Sequence, residues 1–167
     1  MPPYLALSLA YWLHMLATVT WIGGLAALGI LILPVAHLSL EPGAYADFIY
    51  RVQRRLDPVG WASLLVLVGS GLFQMSASPH YTGFLSVESR WAGAILAKHL
   101  VFLAMSGVSA YLTWGLLPRL GRVVLRQSRG LEAPEANRLL HEEARLVRLN
   151  LVLGVLVLGL TALARAS

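Results

Sequence analysis

The chain has 167 residues, 57% of them hydrophobic and only 13% charged, with 13 basic against 8 acidic side chains and a mean hydropathy of +0.69. A soluble globular domain is about 45–50% apolar and about 25% charged, so the composition predicts an integral membrane protein. The net charge of +5 does not point to nucleic acid, because the arginines cluster beside apolar spans, where membrane orientation accounts for them. The chain has no cysteine, which excludes disulfides, thiolate metal sites and covalent c-type haem attachment.

The amino terminus, MPPYLALSLAYW, lacks a basic leader region, and its apolar run is too long for the core of a signal peptide. It reads as the start of a retained first span. Crossing ~30 Å of hydrocarbon takes ~20 helical residues. Four segments qualify, at about residues 5–34, 59–75, 91–117 and 149–163. They predict an all-α, up-down four-helix membrane bundle that occupies residues 1–167 as a single domain. Arg51, Arg54 and Arg55 lie between the first two spans, and Arg119, Arg122, Arg126, Arg129, Arg138, Arg145 and Arg148 between the last two. The positive-inside rule then places loops 38–57 and 118–148 in the cytoplasm and both termini on the outer side of a cell (inner or plasma) membrane. Trp91 fits an outer aromatic belt, and Trp61 and Trp114 an inner one.

Residues 44–57 read as a helix leading into span two, with Pro58 breaking or bending the junction. Arg51, Arg54 and Arg55 are in reach of Glu41 or Asp47 for ion pairing. Residues 133–149 read as an amphipathic extension of span four, with Glu142, Glu143 and Arg145 between its apolar positions. Residues 128–134 form a linker, and His37 and His141 read as solvated surface histidines.

The chemistry-bearing stretch is LHMLATVTWIGGL, residues 13–25. His14, Thr18, Trp21 and Leu25 share one helical stripe. A histidine at membrane depth is costly and points to function. Span three carries a second, His99, next to Lys98. Counted from the outer boundary, both histidines lie ~12–14 Å deep on parallel helices. Gly69, Gly71, Gly154 and Gly159 on the other two spans offer space at that level. Two imidazoles facing each other suit the axial positions of a haem. Lys98 and Arg90, with His80, are placed for its propionates, and Trp21 for stacking. Each histidine taken alone also suits ordinary hydrogen-bonded packing. Copper is the competing ligand, with Met15, Met75 and His80 as added donors, although no MxxxM or HxxM repeat marks a route. There is no HExxH, GxSxG or Walker motif, and no intramembrane carboxylate pair is expected for acid–base work. Catalytic turnover is left open.

His14 with Trp21-Ile-Gly-Gly resembles the opening of the copper resistance protein D (CopD-like) membrane domain. RVQRRLDPVGWASLLVLVGSGLF resembles its second span, and Lys98 and RLNLVLGVLVLGLTAL are similar to its third and fourth. The likeness runs over roughly residues 8–164. It implies copper uptake or handling. The same layout is similar to HemJ-type protoporphyrinogen oxidases, which implies bound haem b. From those the chain departs after Trp21, where an LPR motif gives way to a longer run ending in LPVAH. The leading expectation is a haem b protein for electron transfer with His14 and His99 as axial ligands. The alternatives are a copper-handling membrane protein and an accessory structural subunit. The expected partners are the lipid bilayer, a redox partner or larger membrane complex, and a second copy of the chain.

Overall fold

The structure is a computed structural model and describes residues 3–77 and 90–166. It is all-helical over those residues. Four long helices, α1 (Tyr4–Ser39), α2 (Pro42–Ser76), α3 (Ala92–Ser128) and α4 (Ala136–Ala166), are each long and apolar enough to cross a membrane. At 31 to 37 residues they measure roughly 46–56 Å, well beyond the ~30 Å hydrocarbon core. Their ends therefore project from the bilayer, and the arginine-rich loops mark one projecting end.

Contacts between named pairs set the topology. His14 meets Ser70 and Ala10 meets Gln74, so α1 and α2 run antiparallel. Ser109 meets Asn150 and Tyr111 meets Glu142, so α3 and α4 do the same. Trp61 and Asp57 of α2 reach Thr113 of α3, and Gly29 of α1 lies against Val147 of α4. This is the expected up-down bundle, with α1 diagonal to α3 and α2 diagonal to α4. The Trp21–Phe102 edge contact (5.8 Å between centroids) and the Gln53–Glu143 hydrogen bond span the two diagonals.

Two features depart from the expectation. Pro58 does not break α2, which stays helical through it. Proline is tolerated inside membrane helices where neighbours and local adjustment satisfy the freed backbone groups. In contrast, α1 and α3 each contain a π-helical turn, Ala27–Ile32 and Tyr111–Leu116, just before a Leu-Pro pair. The Leu33 amide bonds the Leu28 carbonyl and the Leu117 amide bonds that of Leu112, five residues back. A proline ring clashes with the carbonyl four residues before it. The wider turn removes that clash ahead of Pro34 and Pro118.

The main core joins the arginine-rich ends of the helices: Leu28, Leu33, Ala46, Ile49, Leu120 and Val147 are buried together. A second cluster, Ala17, Trp21, Leu64, Leu67 and Met105, fills the middle of the bundle. The expected linker is seen between Ser128 and Ala136, with Gly130 at φ 71° and Arg126 paired to Glu135 at 3.1 Å across it. Arg51 pairs with Asp47 at 2.8 Å on the surface, and Trp61 stacks on Trp114 at 4.9 Å. His37 lies on the surface edge-on to Tyr45, and His141 is exposed. Trp91 and Arg90 open the third helical segment with side chains outside the described residues.

Helix packing is closest where glycine meets an aromatic ring. A Cβ at Gly121 would stand 3.0 Å from the ring of Tyr50, whereas one at Gly69 would meet nothing. Gly121→Val should therefore destabilise the detergent-purified protein by about 1–3 kcal/mol, the usual cost of overpacking. Gly69→Ala should leave it unchanged or gain up to ~1 kcal/mol of helix propensity. Thermal or denaturant unfolding in the same detergent measures both.

Candidate functional site

His14 is half-buried and turned onto α2. The Ser70 hydroxyl donates to the Val66 carbonyl at 2.5 Å. Its proton is thereby used, so its oxygen accepts from His14 Nδ1–H at 2.9 Å. This chain fixes the tautomer and makes Nε2 the basic nitrogen. The Leu67 carbonyl also lies within reach of the ring. Thr18, expected beside the imidazole, bonds the His14 backbone carbonyl instead, at 2.7 Å.

His99 Nδ1 lies 2.6 Å from the Ile95 carbonyl. A carbonyl can only accept, so Nδ1 of His99 carries its proton as well. The two histidines are close in depth. A Cβ on Gly154 would stand 3.4 Å from both the Ile22 and the Met105 side chains, which puts those residues at about one level. His14 is eight residues before Ile22 and His99 six before Met105, an offset of ~3 Å along the bundle.

The space expected between them is not supplied by the glycines. A Cβ on Gly71 would meet the His14 ring at 3.4 Å, so Gly71 makes room for the histidine itself. Gly154 is covered by Ile22 and Met105, and Gly69 and Gly159 have nothing near them. Trp21 is buried in the central cluster and packs edge-on to Phe102, about two turns deeper than His14.

The surroundings of His14 are cationic. Lys98, half-buried, and Arg165 are both near enough to His14 for their charges to act on it. Arg165 also lies 5.6 Å from the Tyr11 ring centre. Lys98 thus borders the His14 region. Met15 is exposed on the outer surface of α1, about 100° around the helix from His14. Met75 is half-buried one turn beyond Gly71. His80 lies outside the described residues. Among the described residues no three histidine or carboxylate side chains gather to hold a metal ion.

A second polar region lies toward the arginine-rich end. A cavity of about 80 Å³ opens between all four helices, lined in part by Trp21, Gln53, Asp57, Ser109 and Asn150. Gln53 donates to Glu143 at 2.5 Å, Trp61 to Thr113 at 3.1 Å and Thr113 to Asp57 at 2.6 Å. Asn150 donates to Ser109 at 2.8 Å. Glu143 and Asn150 are 1% and 0% exposed. Glu143 and Asp57 line one small pocket at the arginine-rich end of the bundle, where the sequence predicts a polar surface. The physical reason for the burial of Glu143 is helix phase. Ala136, Leu139, Leu140, Glu143, Val147, Asn150 and Gly154 are all buried on α4, at spacings of three and four. The sequence carries that signal, and the charged neighbours Glu142 and Arg145 mask it.

A family model described as copper resistance protein D matches residues 50–164. No curated protein and no solved structure matches the chain. The matched residues include Lys98, His99, Asp57, Glu143 and Asn150, and they begin after His14 and Trp21. The match spans more than half of the chain, so this multi-pass membrane protein belongs to the copper resistance protein D family.

Proposed function

We propose that the chain handles copper ions in a membrane, with His14 as the ligand in the half of the bundle that carries the termini. The family match carries this reading. Its support in the structure is the Val66–Ser70–His14 chain. Metal-binding histidines generally present one nitrogen while the other donates to a fixed acceptor, and here Nε2 is the nitrogen so presented. Copper is the cargo. A lone imidazole among cations suits brief contact with a moving ion better than a resident centre, and Met75 and His80 stand as further donors on the expected outer side. The arginine-rich loops then face the cytoplasm.

Haem b between His14 and His99 is the second reading. It is favoured by the near-equal depth of the two rings and by Lys98 and Arg165, whose charges suit propionates. Trp21 would lie below such a ring, and Arg90 near the outer surface. In this reading the haem supplies electron transfer, while the chain contributes axial nitrogens and cationic partners.

Purified protein settles the choice by its visible spectrum before and after dithionite, with metal analysis alongside. The copper reading expects no Soret band. In copper-loaded vesicles, His14→Ala should lower transport about tenfold or more. Ser70→Ala should lower copper affinity by about 10–100-fold, the usual cost of losing a partner behind a metal ligand. Transport at the wild-type rate in both variants would sink His14 as the ligand.

Lys98→Met separates the two readings by sign. Removing a nearby positive charge should tighten copper binding, by roughly tenfold for ~1.4 kcal/mol of relieved repulsion. It should weaken binding of an anionic macrocycle by a similar factor. Titration of the same variant with each ligand reads the sign directly.

A further inference from the structure

The region around Glu143 has no role in either reading, and its hydrogen bonding is incomplete. Glu143 Oε1 accepts from Gln53, while Oε2 is buried and has no hydrogen-bond partner. Asn150 Oδ1 is likewise buried and without a partner, although the amide nitrogen reaches Ser109. Exchanging the amide's oxygen and nitrogen would still leave one end unpaired. A buried polar atom without a partner costs about 1–3 kcal/mol, and a buried carboxylate without a cation costs more. Something must offset both.

The neighbours of Glu143 do not supply a countercharge. From α2 it is faced by Gln53, Asp57 and Tyr45. The π turn of α3 and the helix after it contribute Leu112, Leu116, Leu117 and Leu120. On its own helix, Arg148 acts on Tyr45 and Glu142 is held by Tyr111. Among the described residues, no ion pair includes Glu143.

The space available selects the guest. The pocket shared by Glu143 and Asp57 has a volume of about 10 Å³, room for about one water. A metal ion needs several ligands at fixed distance, and its hydration shell does not fit there. The adjoining cavity of about 80 Å³ admits a few waters, and its wall holds Gln53, Asp57 and Asn150. Glu143 stands ~35 Å along α4 from Ala166, at the arginine-rich edge of the hydrocarbon, with the cavity running inward from it.

We propose that this cluster is a proton-binding site: Glu143 takes a proton at Oε2 from water at the arginine-rich end, and waters in the cavity bridge Asn150 and Asp57 behind it. In the step, an O–H bond forms on the carboxylate as one breaks in hydronium, leaving water and a neutral acid. No electron moves. The site is separate from His14 and does not depend on copper or haem.

Infrared spectroscopy of the protein in lipid tests it. The carbonyl stretch of a protonated carboxyl should be present at the acid end of a titration from about pH 4 to about pH 9. That range spans the ordinary glutamate value of ~4.3 and the values above it. The band should fade as the pH rises, shift in heavy water and be missing in Glu143→Gln, whose amide has the same shape. Gln53→Leu removes the N–H that favours the ionised form, so the midpoint should move upward by about one pH unit. A band that ignores pH, survives in Glu143→Gln or keeps its midpoint in Gln53→Leu overturns the proposal.

Discussion

Lipid offers no hydrogen-bond partner, so polar side chains within this bundle depend on one another. The inward faces of the diagonal helices α2 and α4 meet that constraint most directly. On α2, Gln53, Asp57, Gly60, Leu64, Leu67 and Gly71 recur at alternating spacings of four and three. On α4, Leu140, Glu143, Val147, Asn150 and Gly154 do the same. This is the spacing of a helix face turned to the interior of a bundle. Its polar members fall at one end, where Gln53 reaches Glu143 across the diagonal. Leucines, Trp21 and Met105 occupy the middle, and the imidazole of His14 lies at the other end, against Gly71.

The bundle is therefore electrically divided. The half with the termini holds His14, Lys98 and Arg165 close enough to influence one another. The half with the arginine loops holds two carboxyl groups and two amides, and its cationic side chains stay on the surface. A cation moving between these halves meets repulsion at first and acceptor oxygens later. An anionic ligand meets the reverse.

Four spans, their antiparallel order and the linker near Gly130 were legible because hydropathy and charge are one-dimensional signals that folding does not alter. His14 and Lys98 were legible because ionisable groups are scarce in such runs. The partner of His14 was not. Ser70 lies 56 residues away, and serine is common enough in membrane helices to carry no signal of its own. The glycines misled for a related reason. Gly71 and Gly154 are small because side chains from facing helices fill the places beside them, and that cannot be told from empty space without the facing helix. Glu143 was readable in principle, since it falls on the buried spacing of α4. Its charged neighbours Glu142 and Arg145 hid it.

The π turns are the last constraint, and they couple the two halves. Along α1 the inward positions Ala17, Trp21 and Leu28 keep helical spacing, Gly29 is buried beside Leu28, and the next buried side chain, Leu33, comes five after Leu28. An ordinary helix would have turned Leu33 and Ala36 ~100° toward lipid. The extra residue of the π turn restores their phase. On α3, Leu112, Leu116 and Leu120 follow one another at four-residue steps across the corresponding turn, again one residue more than a strict three-four alternation. Each proline thus sits where the helix resets its inward face, so His14 and Leu33 both pack inward on a single chain. The main core at the arginine-rich end and the histidine at the other end are compatible because of these two turns. A membrane helix with Leu-Pro near its end and a one-residue slip in its buried spacing carries that signature in sequence, readable here at both Pro34 and Pro118.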